Sequence, residues 1–185
     1  MRTLILEGIA TSGKSTVINK LADVFKPSKS VKIVSETETL MNIVDNTESS
    51  VSIAYLTQLI NRVYADDYDL VIFDRLYLTH IFRTHSTMAD FISVENQLRQ
   101  FMPETLFLQI NEDAIADRVA KASEHRNPKW KEYIYTKGSS IDEVAGYYIQ
   151  QQRNQLELLA QSTLPYKIFD TTNHDYQQVV DSIQI

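Results

Sequence analysis

Residues 8–15 of this chain are Gly8-Ile9-Ala10-Thr11-Ser12-Gly13-Lys14-Ser15, a glycine-containing stretch that ends on a lysine and a serine. The apolar run Thr3–Leu6 precedes it, and a segment of helical periodicity, Ser15–Phe25, follows it. Between a strand and a helix, the pattern Gly-x-x-x-x-Gly-Lys-Ser wraps phosphate groups with backbone N–H groups. The stretch therefore predicts a phosphate-binding loop, or P-loop, between the first strand and the first helix.

Each part of the predicted P-loop has a physical task. Its glycines allow backbone geometry and close approach that a side chain would obstruct, and the start of the following helix adds a positive partial charge. Lys14 would reach the β- and γ-phosphates of a nucleoside triphosphate, and the Ser15 hydroxyl would be a ligand of Mg²⁺. We expect ATP to bind through Gly8, Ala10, Thr11, Ser12, Gly13, Lys14, Ser15 and Thr16.

Further apolar runs alternate with segments of helical periodicity along the rest of the chain. This alternation predicts right-handed crossovers and an α/β fold, in which a five-stranded parallel sheet is covered by helices on both sides. We expect one domain over residues 1–185. The predicted strands are Thr3–Leu6, Val31–Val34, Leu70–Phe73, Thr105–Ile110 and Tyr166–Phe169. The predicted helices are Ser15–Phe25, Ile53–Tyr64, Asp90–Phe101, Ala114–Ala122, Ile141–Gln161 and Tyr176–Ile183.

Charged residues follow the second and third predicted strands where each strand ends. Glu36 comes after the second strand, and Asp74 and Arg75 come directly after the third. Ligands of such sheets bind beyond the carboxyl ends of the strands, so we expect these side chains beside the P-loop. Asp74 would lie near the metal, and Arg75 would bridge phosphates or clamp the acceptor. Glu36 would be the general base or an acceptor anchor, and Glu38 is close enough in sequence to compete for that role.

A cation-rich segment, residues 118–138, follows the fourth predicted strand. A lid of this kind closes over a triphosphate, excludes water and supplies positive charge to the transferring phosphate. Arg118 and Arg126 are the strongest candidates for phosphate contact, because a guanidinium matches phosphate oxygens as a fork. We expect the aromatic residues Trp130, Tyr133 and Tyr135 to pack the lid onto the core.

Taken together, these residues resemble the thymidylate kinase and deoxynucleoside kinase group of P-loop kinases. The resemblance rests on Leu6-Glu7-Gly8, Gly13-Lys14-Ser15-Thr16, Glu36, Arg62, Asp74-Arg75 and the ending Lys167-Ile168-Phe169-Asp170-Thr171-Thr172. It implies a three-layer P-loop NTPase sandwich of the nucleoside and nucleotide kinase type, with ATP and Mg²⁺ as cofactors and a homodimer as the assembly. It also implies that Lys14 and Arg75 stabilise the transferring phosphoryl group, and that Arg62 helps to read the acceptor.

The chain departs from both families at the residues that mark the acceptor. Thymidylate kinases usually have an acid where Ala10 stands and a tyrosine where Leu76 stands, and deoxynucleoside kinases usually have Glu-Arg-Ser at positions 74–76. The leading hypothesis is an ATP-dependent phosphotransferase that acts on a nucleoside or a nucleoside monophosphate. A kinase of a non-nucleotide metabolite is the first alternative, and a regulatory ATPase or nucleotide switch is the second.

The composition narrows the class of protein further. A net charge of −6, from 18 basic and 24 acidic residues, disfavours a protein that binds along a nucleic-acid duplex. The sequence contains no cysteine, which excludes disulfides and thiolate metal sites. Neither a signal peptide nor an apolar run of membrane-spanning length stands out. We therefore expect a cytoplasmic protein whose partners are ATP and a small acceptor, without a membrane.

Overall fold

A five-stranded parallel sheet forms the centre of the molecule in a computed structural model that describes residues 1–40 and 48–183. The strands are β1 (Arg2–Glu7), β2 (Val31–Val34), β3 (Leu70–Asp74), β4 (Pro103–Gln109) and β5 (Tyr166–Asp170). They lie in the order β2-β3-β1-β4-β5. Each strand agrees with its predicted bounds to within two residues, so the expected α/β fold with a parallel sheet is confirmed.

Helices cover both faces of this sheet. They are α1 (Lys14–Phe25), α2 (Glu36–Leu40), α3 (Ser49–Val63), α4 (Tyr77–Thr84), α5 (Ile92–Leu98), α6 (Glu112–His125), α7 (Pro128–Ile134), α8 (Ile141–Gln161) and α9 (Gln177–Asp181). A single 3₁₀ turn, Arg99–Phe101, continues α5, so the helix predicted over residues 90–101 is a shorter helix followed by this turn.

The sequence analysis did not predict α2, α4 or α7, and there is a physical reason for each omission. Helix α2 is five residues long, which is too short to show a period. Helix α4 is buried from Tyr77 to Ile81, polar Thr79 and His80 included, so its sequence does not show an apolar and a solvent-exposed face. Helix α7 lies in the polar segment predicted as a lid, where Asn127 caps it and Pro128 opens it.

Two apolar layers hold the sheet between the helices. Ile5, Phe73 and Phe107 point into the layer that includes residues of α3, α4 and α8, whereas Leu4, Leu6 and Leu106 point to the opposite layer with α1 and α9. The central strands β1, β3 and β4 are buried on both faces along most of their length, which explains why their sequences are largely apolar. The sheet is therefore a rigid support for the loops at its edges.

The register of the strands brings the predicted polar positions to one edge. Leu6 lies beside Asp74, and Val34 lies beside Phe73, so β1, β2 and β3 end at the same level. The P-loop, Glu36 and Arg75 follow these three ends. Among residues 1–40 and 48–183, no helix combines the length and apolar character needed to cross a membrane.

Candidate active site

A cavity of about 570 Å³ opens at this edge of the sheet. Its floor is the P-loop, and its walls come from α4, α6, α7, α8 and the loop after β5. The strand order gives the cavity two ends. Glu36, Arg75 and Arg83 line the end over β2 and β3, and Arg118 and Tyr176 line the end over β4 and β5.

The backbone of the P-loop requires its two glycines. Gly8 has φ 137° and Gly13 has φ 98°, both in the region that residues with a side chain rarely adopt. A Cβ on Gly8 would lie 2.6 Å from the carbonyl oxygen of Leu108, and a Cβ on Gly13 would lie 2.1 Å from the ring of Tyr176. The glycine positions of the sequence pattern are therefore fixed by the conformation and by close neighbours.

Polar side chains of the P-loop include hydroxyl groups that could donate to an anion. The buried Oγ atoms of Thr11 and Ser12 have no hydrogen-bond partner among the described residues. Lys14 Nζ donates to the carbonyl oxygens of Gly8 at 3.0 Å and Ile9 at 2.9 Å. Burial, with the positive charge of Arg75 adding to it, lowers the pKa of Lys14 to about 7.

Nucleotide affinity should weaken as the pH rises above about 7, because the predicted contact of Lys14 with phosphate requires the charged form of its side chain. The free protein loses this proton above the lowered pKa, so binding must take a proton up. We expect the Kd for ATP to rise by up to about tenfold per pH unit above about pH 7.5. Calorimetric titration in two buffers of different ionisation enthalpy measures the proton uptake directly.

The matched control for this titration is Lys14→Arg, whose side chain stays charged at every accessible pH. This variant should bind ATP more weakly and should show no proton uptake linked to position 14. A wild-type affinity that is flat from about pH 7.5 to 9 would contradict the lowered pKa of Lys14.

Arg75 connects the end of β3 with the P-loop and with Glu36. Its backbone has φ 64°, its Nη1 donates to the carbonyl oxygen of Gly8 at 2.6 Å, and its Nε donates to Glu36 Oε1 at 2.9 Å. Burial would raise the pKa of Glu36, but Arg75 and Lys14 outweigh it and the pKa is lowered. Glu36 is thus an ionised carboxylate, and 49% of its side chain stays accessible.

Glu38, the neighbouring acid, has a different environment. Its Oε2 accepts from the backbone N–H of Ser35 at 2.9 Å and from the Ser35 hydroxyl at 2.8 Å. It does not line the cavity, whereas Glu36 does. The geometry therefore separates two glutamates that the sequence leaves equivalent, and it places Glu36 beside the P-loop.

Asp74 and Ser15 are oxygen donors of the kind that Mg²⁺ prefers. Asp74 is 8% exposed, and its Oδ1 has no hydrogen-bond partner in the described part of the chain. Burial raises the pKa of Asp74, although the charge of Lys14 opposes this shift. Residues 1–40 and 48–183 contain no group of three or more histidine and acidic side chains that could hold a metal. A metal held by Ser15 and Asp74 would therefore need phosphate oxygens as further ligands.

The two arginines predicted to contact phosphate differ in the structure. Arg118 is buried within α6, and its guanidinium donates to the carbonyl oxygens of Thr171, Thr172 and Thr11 and to the Tyr176 hydroxyl. Only its Nε–H is left for a phosphate. Arg118 thus braces the P-loop at Thr11, which has φ 69°, and any phosphate contact stays a prediction.

Arg126, in contrast, is exposed at the end of α6. Its guanidinium lies 4.5 Å from the centre of the Trp130 ring, and both residues line the cavity. The face of the Trp130 ring attracts the guanidinium, and this contact leaves the N–H donors of Arg126 unused. Arg126 is therefore the arginine of the predicted lid whose donors remain available to a ligand.

Arg62 lies outside the cavity. It occupies the last turn of α3, is exposed and does not belong to the cavity lining. Its charge acts on Glu38, and lowers the pKa of that acid as a minor contribution beside the Ser35 hydrogen bonds. The predicted role of Arg62 in reading the acceptor has no support from this geometry.

Sequence reasoning missed several residues of the cavity. Thr79 and Arg83 line it from α4, one and two turns after Arg75. A helix directly after Asp74-Arg75 places positions 79 and 83 on one face, so their spacing of four residues was an available signal. Other lining residues come from α8 and from the loop after β5, namely Tyr147, Tyr148, Gln151, His174 and Tyr176.

Comparisons with known proteins agree with this architecture. No protein-family model matches the chain, and no curated protein matches its sequence. The YorR protein from Bacillus subtilis, solved with phosphorylated GDP, has a TM-score of 0.63 at 18% identity over 97% of this chain and 91% of that one. The chain has the fold of the P-loop kinases.

Two further solved structures with the P-loop kinase fold match over 97% of this chain. Thymidylate kinase from Candida albicans has a TM-score of 0.59 at 16% identity and is covered over 88% of its chain. Shikimate kinase from Bacteroides thetaiotaomicron has the same TM-score at 14% identity and is covered over 94%. Identities this low show the fold and leave the acceptor to be argued from the site.

Proposed function

We propose that this chain is an ATP-dependent phosphotransferase that moves the γ-phosphate of ATP to a nucleoside or a nucleoside monophosphate. One arrangement carries the proposal: an ionised carboxylate, Glu36, bonded at 2.9 Å to Arg75 in the same cavity as Lys14. Glu36 can accept the proton of an attacking hydroxyl, and Arg75 keeps this carboxylate ionised beside the phosphate site.

In this proposal the P-loop holds the triphosphate. Lys14 leaves the carbonyl oxygens of Gly8 and Ile9 and places its charge on the β- and γ-phosphates. Ser15 and Asp74, together with phosphate oxygens, would hold Mg²⁺, which would neutralise charge on the triphosphate. The conformation of the loop is already set by its glycines and by Arg118, so little rearrangement accompanies binding.

The acceptor would enter at the end of the cavity over β2 and β3. Glu36 accepts the proton of an attacking hydroxyl, or orients an attacking phosphate oxygen. Arg75 keeps its contact with Glu36 and offers its remaining N–H groups to the transferring phosphoryl group, where negative charge is spread over the equatorial oxygens. Arg83, also at this end, adds a second positive charge that favours a phosphorylated acceptor.

The part of α6 and α7 that follows Arg118, up to residue 138, would act as the lid, whereas Arg118 stays fixed to the P-loop. Arg126, supported by Trp130, moves its charge toward the triphosphate when the segment closes. Closure excludes water and thereby favours transfer to the acceptor over hydrolysis of ATP.

A panel of nucleosides and nucleoside monophosphates tests the proposal. Purified protein is incubated with ATP and Mg²⁺, and the products are followed by chromatography of the nucleotides. We expect Mg²⁺-dependent transfer to at least one member, with little ADP formed when the acceptor is left out. If ATP binds but the whole panel stays inert, the acceptor class is wrong.

The same assay separates the remaining alternatives. Because the shikimate kinase matches the fold as closely as the thymidylate kinase, hydroxylated metabolites and sugars belong in a second panel. Transfer to a member of that panel would identify a metabolite kinase. Fast, saturable ATP hydrolysis without any acceptor would identify a regulatory ATPase, because it would show that water is the natural nucleophile.

A further inference from the structure

Glu7, the last residue of β1, is a buried acid with no role in the proposed transfer. Its side chain is fully buried, and both carboxylate oxygens accept hydrogen bonds from the segment that follows β3. Oε1 accepts from the backbone N–H of Leu76 at 2.8 Å, and Oε2 accepts from the Thr79 hydroxyl at 3.0 Å. Burying an acid costs free energy of folding unless hydrogen bonds or a charged partner compensate for the lost water. A buried acid at this position therefore requires an explanation.

Both contacts of Glu7 lie just after Arg75 in the chain. Leu76 follows Arg75 directly, and Thr79 lies one turn further into α4. Arg75 itself has φ 64°, a left-handed conformation that residues with a side chain rarely adopt. Its own N–H donates to the carbonyl oxygen of Leu6 at 2.9 Å. The strained residue is therefore fixed on both sides by hydrogen bonds to the end of β1.

A chain of donors continues from Glu7 to α8. The side-chain amide of Gln155 donates to Thr79 Oγ1 at 3.2 Å, which leaves the Thr79 hydroxyl proton for Glu7. Gln155 and Thr79 are almost completely buried. The chain Gln155–Thr79–Glu7 thus links the helix that follows the predicted lid to the residue that precedes Gly8.

We infer that Glu7 is a positioning residue that fixes the turn at Arg75, so that its guanidinium meets Glu36 and the P-loop together. The inference rests on the proposed function, since the guanidinium must act on a transferring phosphate for its position to matter. Glu7 does not line the cavity, so it acts through Arg75. Through the hydrogen bond from Gln155 to Thr79, α8 and α4 also help to fix the turn at Arg75.

Substitutions at Glu7 test this role by a comparison of catalysis with binding. Glu7→Leu removes both acceptors, so kcat should fall about 10²-fold, as for a displaced catalytic group, while the Kd for ATP changes little. Glu7→Gln keeps an acceptor for the Leu76 N–H and should retain most of the activity. Where Glu7→Leu does not fold, Thr79→Val removes one of the two contacts and should lower kcat by a smaller factor.

Glu95 provides a matched control. It is fully buried, and it accepts hydrogen bonds from the Ser162 hydroxyl and from the backbone N–H and hydroxyl of Thr163, outside the cavity. Glu95→Leu should lower the melting temperature as Glu7→Leu does, yet leave kcat close to the wild-type value. If both variants lower kcat equally, Glu7 has only a structural role.

A double-mutant cycle decides whether Glu7 acts through Arg75. In an Arg75→Ala background, Glu7→Leu should cost no further activity, because the group that it positions is absent. A merely structural role would lower activity by the same factor in both backgrounds, and that result would overturn the inference.

The position of Arg75 can also be read without turnover. In the nuclear magnetic resonance spectrum, the Arg75 Nε–H should show a protected signal from its bond to Glu36 in the wild type, in Glu7→Gln and in Glu95→Leu. It should be lost in Glu7→Leu. Should no acceptor be found, this measurement still tests the inference, because an unchanged signal in Glu7→Leu refutes it independently of the proposed function.

Discussion

Arg75→Ala should abolish most phosphoryl transfer, with kcat lower by about 10³-fold or more and a Kd for ATP that changes by less than about tenfold. Three properties of the side chain lead to this expectation. It is 6% exposed, it donates to the carbonyl oxygen of Gly8 in the P-loop, and it forms an ion pair with Glu36. Truncation removes positive charge where charge develops on the transferring group, while the glycines and Lys14 continue to hold the triphosphate.

Removal of Arg75 also changes its partner. Without the guanidinium, burial would no longer be outweighed to the same degree, and the pKa of Glu36 should rise. The rate of Arg75→Ala should therefore begin to fall, as the pH is lowered, at a higher pH than the rate of the wild type. Arg75→Lys keeps the charge without the planar fork, so it should recover only part of the rate.

Arg153→Ala is the control for a lost arginine. Arg153 forms an exposed ion pair with Glu112 at 2.5 Å on the surface, outside the cavity lining. Exposed pairs of this kind contribute about 1 kcal/mol or less, so kcat should stay at the wild-type value. Steady-state kinetics with separate ATP and acceptor titrations give both comparisons. An Arg75→Ala enzyme as active as Arg153→Ala would exclude Arg75 from catalysis.

The sequence alone was sufficient for the P-loop and for the parallel sheet. The P-loop depends on local requirements, namely a strand, two glycines and the start of a helix, and these features follow one another directly in the sequence. The central strands β1, β3 and β4 could be found because burial on both faces favours apolar runs. The meeting of Glu36 with Arg75 then followed from the rule that parallel strands end at one edge.

Arg118 shows what a sequence pattern leaves undetermined. It belongs to a cation-rich stretch, and a lid arginine was the natural interpretation. Its guanidinium is instead held by carbonyl groups of Thr171 and Thr172, residues more than fifty positions away in the chain. The partners of a long side chain depend on tertiary packing, so a local pattern can predict the charge but not the contacts.

Glu7 was missed for a related reason. Glu7 directly precedes the motif that predicted the P-loop, yet the role of a buried acid at the end of an apolar strand cannot be inferred until its hydrogen-bond donors are known. Those donors are a backbone N–H at Leu76 and a hydroxyl at Thr79, and neither residue type marks a site in a sequence. The helix α4 that brings them there was itself not predicted.

Glu36→Gln should lower kcat by about 10²- to 10⁴-fold, because an amide cannot accept the proton of an attacking hydroxyl. The substitution keeps the size of the side chain and an oxygen for the Arg75 Nε–H, so the acceptor should still bind and the KM should change little. The size of the effect also reports the acceptor. A hydroxyl acceptor needs the base, whereas a phosphate oxygen is already ionised and should depend on Glu36 far less.

The control is Glu38→Gln, two residues further along the chain. Glu38 bonds to Ser35 at the start of α2 and does not line the cavity, so this variant should show wild-type kcat and a slightly lower melting temperature. Single-turnover measurements at saturating ATP separate the chemical step from product release. If both glutamine variants transfer phosphate at the wild-type rate, neither acid is the base, and a phosphorylated acceptor oriented by Arg75 and Arg83 becomes the hypothesis to test first.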